Sequence, residues 1–256
     1  MNELHRFPLS VVTGGAGALG SAISRRFARG GDTVILLDNN AEAVQTVARQ
    51  LSEETGAQVH GWVVDISDDE SIRLAVKRID EEFGRLDRLV NNAAVNPRAR
   101  LGDVDDTEWD TAMAVNLRGP MSLCRSAIPI WTRTGTGRIV NITSRTWLSG
   151  GPTAYVTSKA GVVGLTRSLA VELGPLGVTA NAVAPSMVVT PFTKGGRTDE
   201  EFALFVDKHT RMSPLGRLAT ADDIVDAVEF LASDKARFVS GEVLHVCGGA
   251  QLAAAP

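Results

Sequence analysis

The sequence has few cysteines and no long apolar run. Cys124 and Cys247 are the only cysteines, too few for a disulfide framework and too isolated for a structural zinc site. The four histidines show no metal-ligand spacing, so we expect no metal. No apolar run approaches the roughly 20 residues that span a bilayer, and residues 1–8 lack a stretch long enough for a signal peptide. We therefore expect a cytoplasmic protein with no membrane partner.

Basic and acidic residues are nearly balanced in number. The 26 basic and 30 acidic residues give a net charge of −4, which gives no reason to expect binding to nucleic acid. With 44% hydrophobic and 22% charged residues, the composition excludes disordered, coiled-coil and collagen-like chains. A chain of this length buries roughly 70% of its extended surface. Because no linker or repeat divides the sequence, we expect one domain over residues 1–256.

Short β-branched runs alternate with longer segments of helical period. Several of these runs are apolar on both faces, as in parallel strands that helices cover on both sides. The predicted strands are 9–13, 33–38, 58–64, 87–91, 138–143, 178–183 and 242–246. The predicted helices lie near 18–29, 41–54, 69–83, 108–132, 153–174, 199–208 and 221–233. This order predicts an α/β protein with three layers around a doubly wound, seven-stranded parallel sheet.

A glycine-rich turn, TGGAGALG over residues 13–20, follows the first predicted strand. Glycines there let backbone N–H groups approach a pyrophosphate at the N-terminus of the next helix. Two registers of the pattern are possible, one beginning at Gly15 and the other at Thr13. A tight turn between a strand and a helix needs glycine in any case. The flanking strand and helix nevertheless provide the context that favours nucleotide binding.

Asp38 ends the second predicted strand, 18 residues beyond Gly20. An acidic side chain at this place can accept hydrogen bonds from both ribose hydroxyls and repels a 2′-phosphate. The plainer alternative is a turn aspartate that caps the next helix. Asn39 and Asn40 follow it and bring no positive charge. The pattern favours NAD over NADP as the cofactor.

Tyr155 is the only tyrosine, and Lys159 lies four residues later, so the two share a face if the segment is helical. A positive charge about 4 Å from the phenolate is worth roughly 4 kcal/mol at an effective dielectric near 20. It could move the phenol pKa from about 10 towards 7, although desolvation opposes this. Such a tyrosine could exchange protons near neutral pH. Alone, the pair could equally be an amphipathic tyrosine beside a solvated lysine.

Together these motifs resemble the short-chain dehydrogenase/reductase family, in order and over essentially the whole chain. The resemblance rests on 13–20, 91–94, Asn116, Ser144, Tyr155, Lys159, 185–191, 231–234, 240–241 and 248–249. It implies a Rossmann fold, an NAD(P) cofactor and about 250 residues. Ala18, Ala94 and Ser186 stand where the family usually has glycine, and Cys247 stands where aspartate is common.

The resemblance implies a catalytic set of four residues. Tyr155 would donate or accept the proton, and Lys159 would lower the pKa of Tyr155 and hold the nicotinamide ribose. Ser144 would hydrogen-bond the substrate oxygen, and Asn116 would hold a water that links Lys159 to solvent. The interval between Ser144 and Tyr155 is 11 residues rather than the family's usual thirteen or so, which a shorter loop explains.

Thr143 and Ser149 remain alternatives to Ser144. The residues implied to bind the cofactor are Gly14, Gly17, Leu19, Gly20, Asp38, Asp65, Ile66, Asn92, Ala93, Tyr155, Lys159, Val188 and Thr190. Asp65 and Ile66 would meet the adenine, whereas Val188 and Thr190 would touch the carboxamide.

The substrate side is less determined. Candidates for the pocket wall are Val95, Trp147, Met187 and Phe192, and residues 187–210 resemble the family's substrate lid. These side chains favour a medium-sized, largely apolar or cyclic substrate. Arg98, Arg100 and Arg145 could instead engage a carboxylate or phosphate, although loop arginines are more often solvated.

The function expected from these residues is NAD-dependent interconversion of a secondary alcohol and a ketone. A 3-oxoacyl thioester reductase is an alternative, but carrier-protein reductases of this family often have a basic residue where this chain has Leu176, and they usually prefer NADPH. A catalytically silent nucleotide-sensing protein is a third hypothesis. By resemblance, we expect a homotetramer built through 108–132, 153–174 and the C-terminal segment.

Overall fold

The computed structural model describes residues 7–252, so the ends of the predicted domain, 1–6 and 253–256, lie outside the described residues. Seven parallel strands form one sheet in the order β3-β2-β1-β4-β5-β6-β7. The strands are β1 Leu9–Thr13, β2 Thr33–Asp38, β3 Val59–Val63, β4 Arg88–Asn91, β5 Gly137–Ile142, β6 Val178–Pro185 and β7 Val243–Val246. The seven-stranded parallel Rossmann sheet expected from the sequence is confirmed.

Helices flank both faces of this sheet. They are α1 Ala18–Arg29, α2 Ala41–Thr55, α3 Asp69–Phe83, α4 Asp106–Met113, α5 Gly119–Thr134, α6 Thr146–Ser149, α7 Thr153–Leu173, α8 Pro191–Lys194, α9 Asp199–Met212 and α10 Ala221–Leu231. None of these helices combines the length and hydrophobicity needed to cross a bilayer. The short helices α6 and α8 were not predicted from the sequence, because four residues carry too little of a helical period to be recognised.

The central strands bury both of their faces. In β1, Val11 belongs to a core cluster that includes Trp131 of α5, whereas its neighbour Val12 packs in a second cluster with Phe27 of α1 and Ile224 of α10. Successive side chains of a strand point to opposite faces, so adjacent valines supply both cores. This two-sided burial explains why the predicted strands read as apolar runs rather than as alternating patterns.

The long helix predicted over 108–132 is interrupted. A π-helical turn, Ala114–Arg118, separates α4 from α5. Pro120 follows immediately, and its nitrogen carries no hydrogen for the carbonyl of Asn116 four residues earlier. Instead, the N–H of Gly119 reaches the carbonyl of Ala114, five residues back. Such π-turns occur frequently at functional sites.

The order of the strands places a crevice above the centre of the sheet. β1 pairs with β2 on one side and with β4 on the other, so the chain leaves these strands in opposite directions. In open parallel sheets, ligands bind at the carboxyl ends of the strands where the order reverses. The turn after Thr13 and the segment after Asn91 therefore face each other across this crevice.

Candidate functional site

A cavity of about 610 Å³ lies at the carboxyl ends of the central strands. All the residues expected to bind the cofactor line it: Gly14, Gly17, Leu19, Gly20, Asp38, Asp65, Ile66, Asn92, Ala93, Tyr155, Lys159, Val188 and Thr190. The described residues contain no group of three or more His, Cys, Asp or Glu side chains that could hold a metal ion. The chemistry of the cavity depends on the residues that form its walls.

The glycine-rich turn forms one wall by close backbone packing. Gly14 has φ +62°, in the left-handed region that favours glycine. A Cβ on Gly20 would overlap the Gly14 carbonyl oxygen and lie 2.9 Å from the Asn92 amide nitrogen. Gly17 caps α1 without a side-chain hydrogen bond, which leaves first-turn N–H groups facing the cavity. This surface fits a pyrophosphate, which needs close backbone approach and free N–H donors.

Asn92 and Thr13 join this turn to the end of β4. The Thr13 hydroxyl oxygen accepts hydrogen bonds from the backbone N–H groups of Asn92 and Ala93, both at 3.0 Å. The Asn92 side-chain amide donates to the Thr13 carbonyl at 2.9 Å. Sequence analysis treated Thr13 only as part of the motif, although a threonine at a strand end is able to provide such a junction.

Asp38 points to the cavity from the end of β2. One carboxylate oxygen accepts the Ala16 N–H at 3.1 Å, and the other accepts the Asn40 N–H at 3.0 Å. Asn40, not Asp38, is the cap of α2, because its side chain accepts the Ala43 N–H. The capping alternative for Asp38 is therefore wrong. Within the described chain, Lys159 is the only lysine or arginine that lines the cavity.

Asp65 lies beyond β3 on the same side of the cavity. Its Oδ1 accepts hydrogen bonds from the Ser67 N–H at 2.8 Å and the Ser67 hydroxyl at 2.7 Å. Two carboxylates, those of Asp38 and Asp65, therefore face this part of the cavity. They give the wall a negative potential that disfavours an additional phosphate there.

Tyr155 and Lys159 lie on α7, and both line the cavity. The Lys159 ammonium is 5.9 Å from the centroid of the Tyr155 ring. Lys159 is only 3% exposed, and its Nζ donates to the Ile142 carbonyl at the end of β5 at 2.8 Å. The Thr143 hydroxyl donates to the Lys159 carbonyl at 2.7 Å. Strand β5 thus holds α7 in the position that directs both side chains into the crevice.

The pKa of Tyr155 departs from the sequence-based expectation. Burial raises it to about 12, while hydrogen bonding with Ser144 acts in the opposite direction. Burial also lowers the pKa of Lys159 to about 8. The expected shift of the phenol towards 7 is therefore wrong in direction for the protein alone. The reason is that burial desolvates the phenolate, and the hydrogen bond with Ser144 offsets this only in part.

Ser144 follows β5 and lines the cavity beside Tyr155. Its oxygen accepts hydrogen bonds from the Thr146 hydroxyl at 2.9 Å and the Thr146 N–H at 3.3 Å. A serine hydroxyl has one donor and two acceptor sites, so the remaining O–H is available to Tyr155 or to a bound molecule. The alternative Thr143 lines the cavity but donates to Lys159, and Ser149 does not line it.

Asn116 lies in the π-helical turn and is buried. Its Oδ1 accepts the Val95 N–H at 2.8 Å, and its Nδ2 donates to the Val95 carbonyl and to the Ser158 hydroxyl, both at 3.0 Å. Ser158 in turn donates to the carbonyl of Tyr155 at 2.8 Å. Asn116 does not line the cavity. These contacts position the loop after β4 against the helix that carries Tyr155.

Of the four side chains predicted to form the substrate pocket, two line the cavity. Val95 and Phe192 do so, whereas Trp147 and Met187 do not. Trp147 stacks on His245 of β7, with ring centroids 5.9 Å apart, because the short helix α6 turns it away from the crevice. Met187 is buried in the protein.

Sequence analysis missed several lining residues on strand ends and on the lid. They include Leu37, Asn39, Val115, Pro185, Ser186 and Thr193. One signal was available, because Thr190 and Thr193 have the spacing of a capping box. Thr190 accepts the Thr193 N–H at 3.2 Å, and the Thr193 hydroxyl donates to the Val188 carbonyl at 2.7 Å.

Comparison with known proteins shows the family to which the chain belongs. A family model described as enoyl-(acyl carrier protein) reductase matches residues 14–251. The (2S)-[(R)-hydroxy(phenyl)methyl]succinyl-CoA dehydrogenase subunit BbsD of Thauera aromatica is 40% identical over 247 residues, 95% of this chain and 96% of the relative. The 3-oxoacyl-[acyl-carrier-protein] reductase FabG of Chlamydia muridarum is 33% identical over 97% of this chain and 99% of its own.

Solved structures give the same result. The crystal structure of levodione reductase superposes with a TM-score of 0.90 at 30% identity, covering 97% of this chain and 100% of that one. The fold and the cavity define a dinucleotide-binding protein of the Rossmann class. The chain belongs to the short-chain dehydrogenase/reductase family. The members of this family are oxidoreductases that use NAD or NADP.

Proposed function

We propose that the protein is an NAD-dependent oxidoreductase that interconverts a secondary alcohol and a ketone by hydride transfer. The observation that carries this proposal is that Ser144, Tyr155 and Lys159 converge on the cavity that the glycine-rich turn also lines. A protein that only senses a nucleotide has no need for a phenol, a hydroxyl and a buried ammonium together at its binding site. The convergence therefore favours catalysis over silent binding.

The residues of the cavity fit NAD. Gly20 allows the close packing of the turn that a side chain would obstruct, while Asp38 and Asp65 favour ribose hydroxyls over a 2′-phosphate. We propose that Asp38 holds the adenosine ribose, that Asn92 and Ala93 line the ribose side, and that Lys159 holds the nicotinamide ribose. When bound, the nicotinamide supplies or accepts the hydride.

Tyr155 moves the proton in this proposal. With a pKa of about 12, its phenol keeps its proton at neutral pH and can donate it to the oxygen of a ketone. In the oxidative direction the phenolate accepts the proton of the alcohol, and the Lys159 ammonium, 5.9 Å from the ring centroid, stabilises that phenolate. The free O–H of Ser144 stabilises charge on the substrate oxygen. Asn116 contributes by fixing the Tyr155 helix through Ser158.

Apolar side chains around the reacting end favour a medium-sized apolar or cyclic substrate. Val95, Val115, Val188 and Phe192 all line the cavity. The relative from Thauera aromatica is named as a dehydrogenase of a hydroxy(phenyl)methyl compound. Its name describes a secondary alcohol that bears a phenyl ring, which matches the expected class.

The second candidate is a 3-oxoacyl thioester reductase. The similarity to the FabG reductase over 97% of this chain favours it. Leu176, which stands where carrier-protein reductases of this family often have a basic residue, and Asp38 favour the alcohol dehydrogenase instead. The two candidates predict opposite cofactor preferences, so the cofactor separates them.

We further propose a homotetramer in the cytoplasm. Among the described residues, α7 and the C-terminal region expose large apolar side chains, of which Val171 is 79% and Leu252 is 82% exposed. Burial of such residues between subunits would remove apolar surface from water. Light scattering tests this proposal by measuring the mass of the protein in solution. The mass of a monomer would contradict the homotetramer.

A screen of initial rates tests the proposed activity. Aliphatic, cyclic, aromatic and sugar alcohols are offered with NAD and with NADP, and the corresponding ketones with NADH. We expect turnover of secondary alcohols with NAD. Tyr155→Phe should abolish that turnover but leave NADH binding nearly intact, as measured by fluorescence titration, because it removes one oxygen from a wall that many other residues form.

Two outcomes would contradict the proposal. Turnover of 3-oxoacyl thioesters with NADPH alone would favour the reductase. Binding of NADH without turnover of any member of the panel would favour the silent nucleotide-sensing protein.

A further inference from the structure

A second groove adjoins the cavity on the side of the lid. We call it the lid groove; it measures about 620 Å³. It shares four wall residues with the cavity, namely Ala94, Val95, Pro191 and Phe192. The two spaces therefore adjoin at these four residues.

Two arginines from different parts of the chain line the lid groove. Arg98 belongs to the loop after β4, and Arg197 belongs to the segment between α8 and α9. Both donate to the carbonyl of Thr193, Arg98 at 3.2 Å and Arg197 at 2.9 Å. A shared acceptor brings the two guanidinium groups together, although they lie about a hundred residues apart in the sequence.

The fold holds both guanidinium groups in place. The Arg98 guanidinium packs against Gly195, where a Cβ would overlap it and where φ is +52°. The Arg197 guanidinium stacks on the Phe205 ring, 4.0 Å from its centroid. Both arginines are half-buried. Cations held in this way lose little further conformational freedom when they bind an anion.

Neither arginine forms an ion pair among the described residues. Elsewhere the fold pairs half-buried arginines with carboxylates, as it does Arg88 with Asp32, but no carboxylate of residues 7–252 forms an ion pair with Arg98 or Arg197. Glu201 also lines the groove. Its carboxylate accepts the Thr198 N–H at 3.0 Å as part of the cap of α9.

The proximity of two positive charges has a visible electrostatic effect. Burial lowers the pKa of Arg197, and the neighbouring Arg98 charge lowers it further, whereas Glu201 acts in the opposite direction. Each guanidinium has five N–H donors, and the contacts of the fold use one nitrogen of each. The remaining donors match a carboxylate or phosphate, which guanidinium groups bind through two parallel hydrogen bonds.

We propose that Arg98 and Arg197 form an anion subsite that binds a carboxylate or phosphate group carried by the substrate away from its carbinol carbon. This inference rests on the proposed function and narrows its substrate class to apolar secondary alcohols with an anionic end. It also separates the arginines that the sequence left as alternatives. Arg100 is exposed, and Arg145 directs its guanidinium to Ser149 and Met212; neither lines the groove.

A series of matched substrates tests the subsite. The probes are (ω−1)-hydroxy fatty acids of increasing chain length, their methyl esters, and monophosphates of the matching diols. We expect the wild-type protein to prefer an acid over its ester in kcat/KM by about tenfold or more at the chain length that spans the two sites. A larger preference for the phosphates would identify phosphate, rather than carboxylate, as the natural anionic end.

The variants Arg98→Gln and Arg197→Gln should each lower the ratio of acid to ester by about tenfold. Arg197→Lys should give an intermediate ratio because it keeps the charge but loses the planar fork. Arg100→Ala is the matched control from the same loop, and it should keep the wild-type ratio. A ratio near one at every chain length, or a ratio that the glutamine variants leave unchanged, would overturn the subsite.

A second measurement does not depend on turnover. Saturation-transfer NMR compares hexanoate with methyl hexanoate in the presence of the wild-type protein and of each variant. We expect a hexanoate signal that both glutamine variants weaken and that Arg100→Ala retains. If no probe is turned over but hexanoate binding depends on both arginines, the subsite stands and the proposed activity fails. If alcohols are oxidised but both glutamine variants bind hexanoate as the wild type does, the proposed activity stands and the subsite fails.

Discussion

The nucleotide side and the substrate side of this site are built in different ways. On the nucleotide side, all five residues of β1 are buried, and the turn after it is joined to β4 through Thr13 and Asn92. On the substrate side, neither α8 nor α9 contains a buried residue. The first side takes its shape from the register of a parallel sheet, whereas the second is shaped by helix caps and a few contacts.

This difference indicates that the substrate side, unlike the nucleotide side, can change in sequence without loss of the fold. Strand ends in a packed sheet cannot move independently, so they hold a constant ligand in a constant place. A segment with few buried contacts opens at low free energy and can change without disturbing the core. Arg98 is one of the few links between the two sides, because its guanidinium donates to the Thr193 carbonyl of the lid.

The largest effect that tests this comparison is expected for Gly20→Ala. The added methyl group would overlap the Gly14 carbonyl oxygen and approach the Asn92 amide to 2.9 Å. We expect a loss of about 3 kcal/mol in the free energy of unfolding and a loss of most NADH affinity, measured by urea unfolding and fluorescence titration. In the lid, Gly196→Ala meets no atom within 4 Å and should change stability by less than about 0.5 kcal/mol. Equal losses of stability in the two variants would contradict the difference between the nucleotide side and the lid.

The next effect concerns Asn116, which joins the loop after β4 to the helix that carries Tyr155. Asn116→Ala would leave the Val95 N–H and carbonyl and the Ser158 hydroxyl without their partner. We expect a loss of about 2–3 kcal/mol in the free energy of unfolding and a lower kcat, since Tyr155 is held through Ser158. Asn96→Ala, on the same loop, removes a side chain for which the structure shows no hydrogen bond. A destabilisation no larger than that of this control would show that Asn116 does not position the site.

A smaller effect is expected for Asp38→Asn. The substitution keeps the shape of the side chain but removes the charge that faces the cavity, so a 2′-phosphate is repelled less. The ratio of kcat/KM with NAD to that with NADP should fall by about tenfold, measured with one alcohol. Asp65→Asn removes the other carboxylate of this wall and should change the ratio less, because Asp65 is expected to meet the adenine. A ratio that Asp38→Asn leaves unchanged would refute the ribose assignment.

The last effect is a dependence of stability on pH. Burial lowers the pKa of Lys159 from 10.5 to about 8 in the folded protein. Between these values the unfolded chain binds more protons than the folded one, so the Lys159 contribution to stability rises with pH. The wild type should therefore gain stability relative to Lys159→Met between about pH 8 and 10, measured by urea unfolding.

The matched control for this experiment is Lys208→Met, which removes an exposed lysine from α9 of the lid. A flat difference between the wild type and Lys159→Met over this range would show that burial does not control the charge of Lys159.

Prediction from the sequence was accurate for residues whose positions follow from local spacing and from the ends of the sheet strands. The glycine turn, the end of β2 at Asp38 and the pairing of Tyr155 with Lys159 follow from periodicity and spacing, and the structure places these residues on one cavity. Prediction failed for side chains whose direction depends on contacts with distant parts of the chain. Trp147 was expected in the pocket, but it stacks on His245 from a strand nearly a hundred residues later.

Electrostatics was the other limit of prediction. The spacing of Tyr155 and Lys159 fixes their common helix face, but it does not say how deeply either group is buried, and burial decided the direction of both pKa shifts. The partner of Asn116 could not be read either, because the π-helical turn that points it at Val95 depends on Pro120 and on the packing around it.

The sequence alone determined the parallel sheet, the succession of strands and helices along the chain and the residues that reach the carboxyl edge, because these follow from hydrophobic period and glycine positions, and the handedness of crossovers limits the topologies. Only the tertiary structure decided which side chains share a solvent-free space and which charges stand together. Arg98 and Arg197 meet at one carbonyl oxygen because two loops fold over each other, and contact between distant segments leaves no periodic trace in a single sequence.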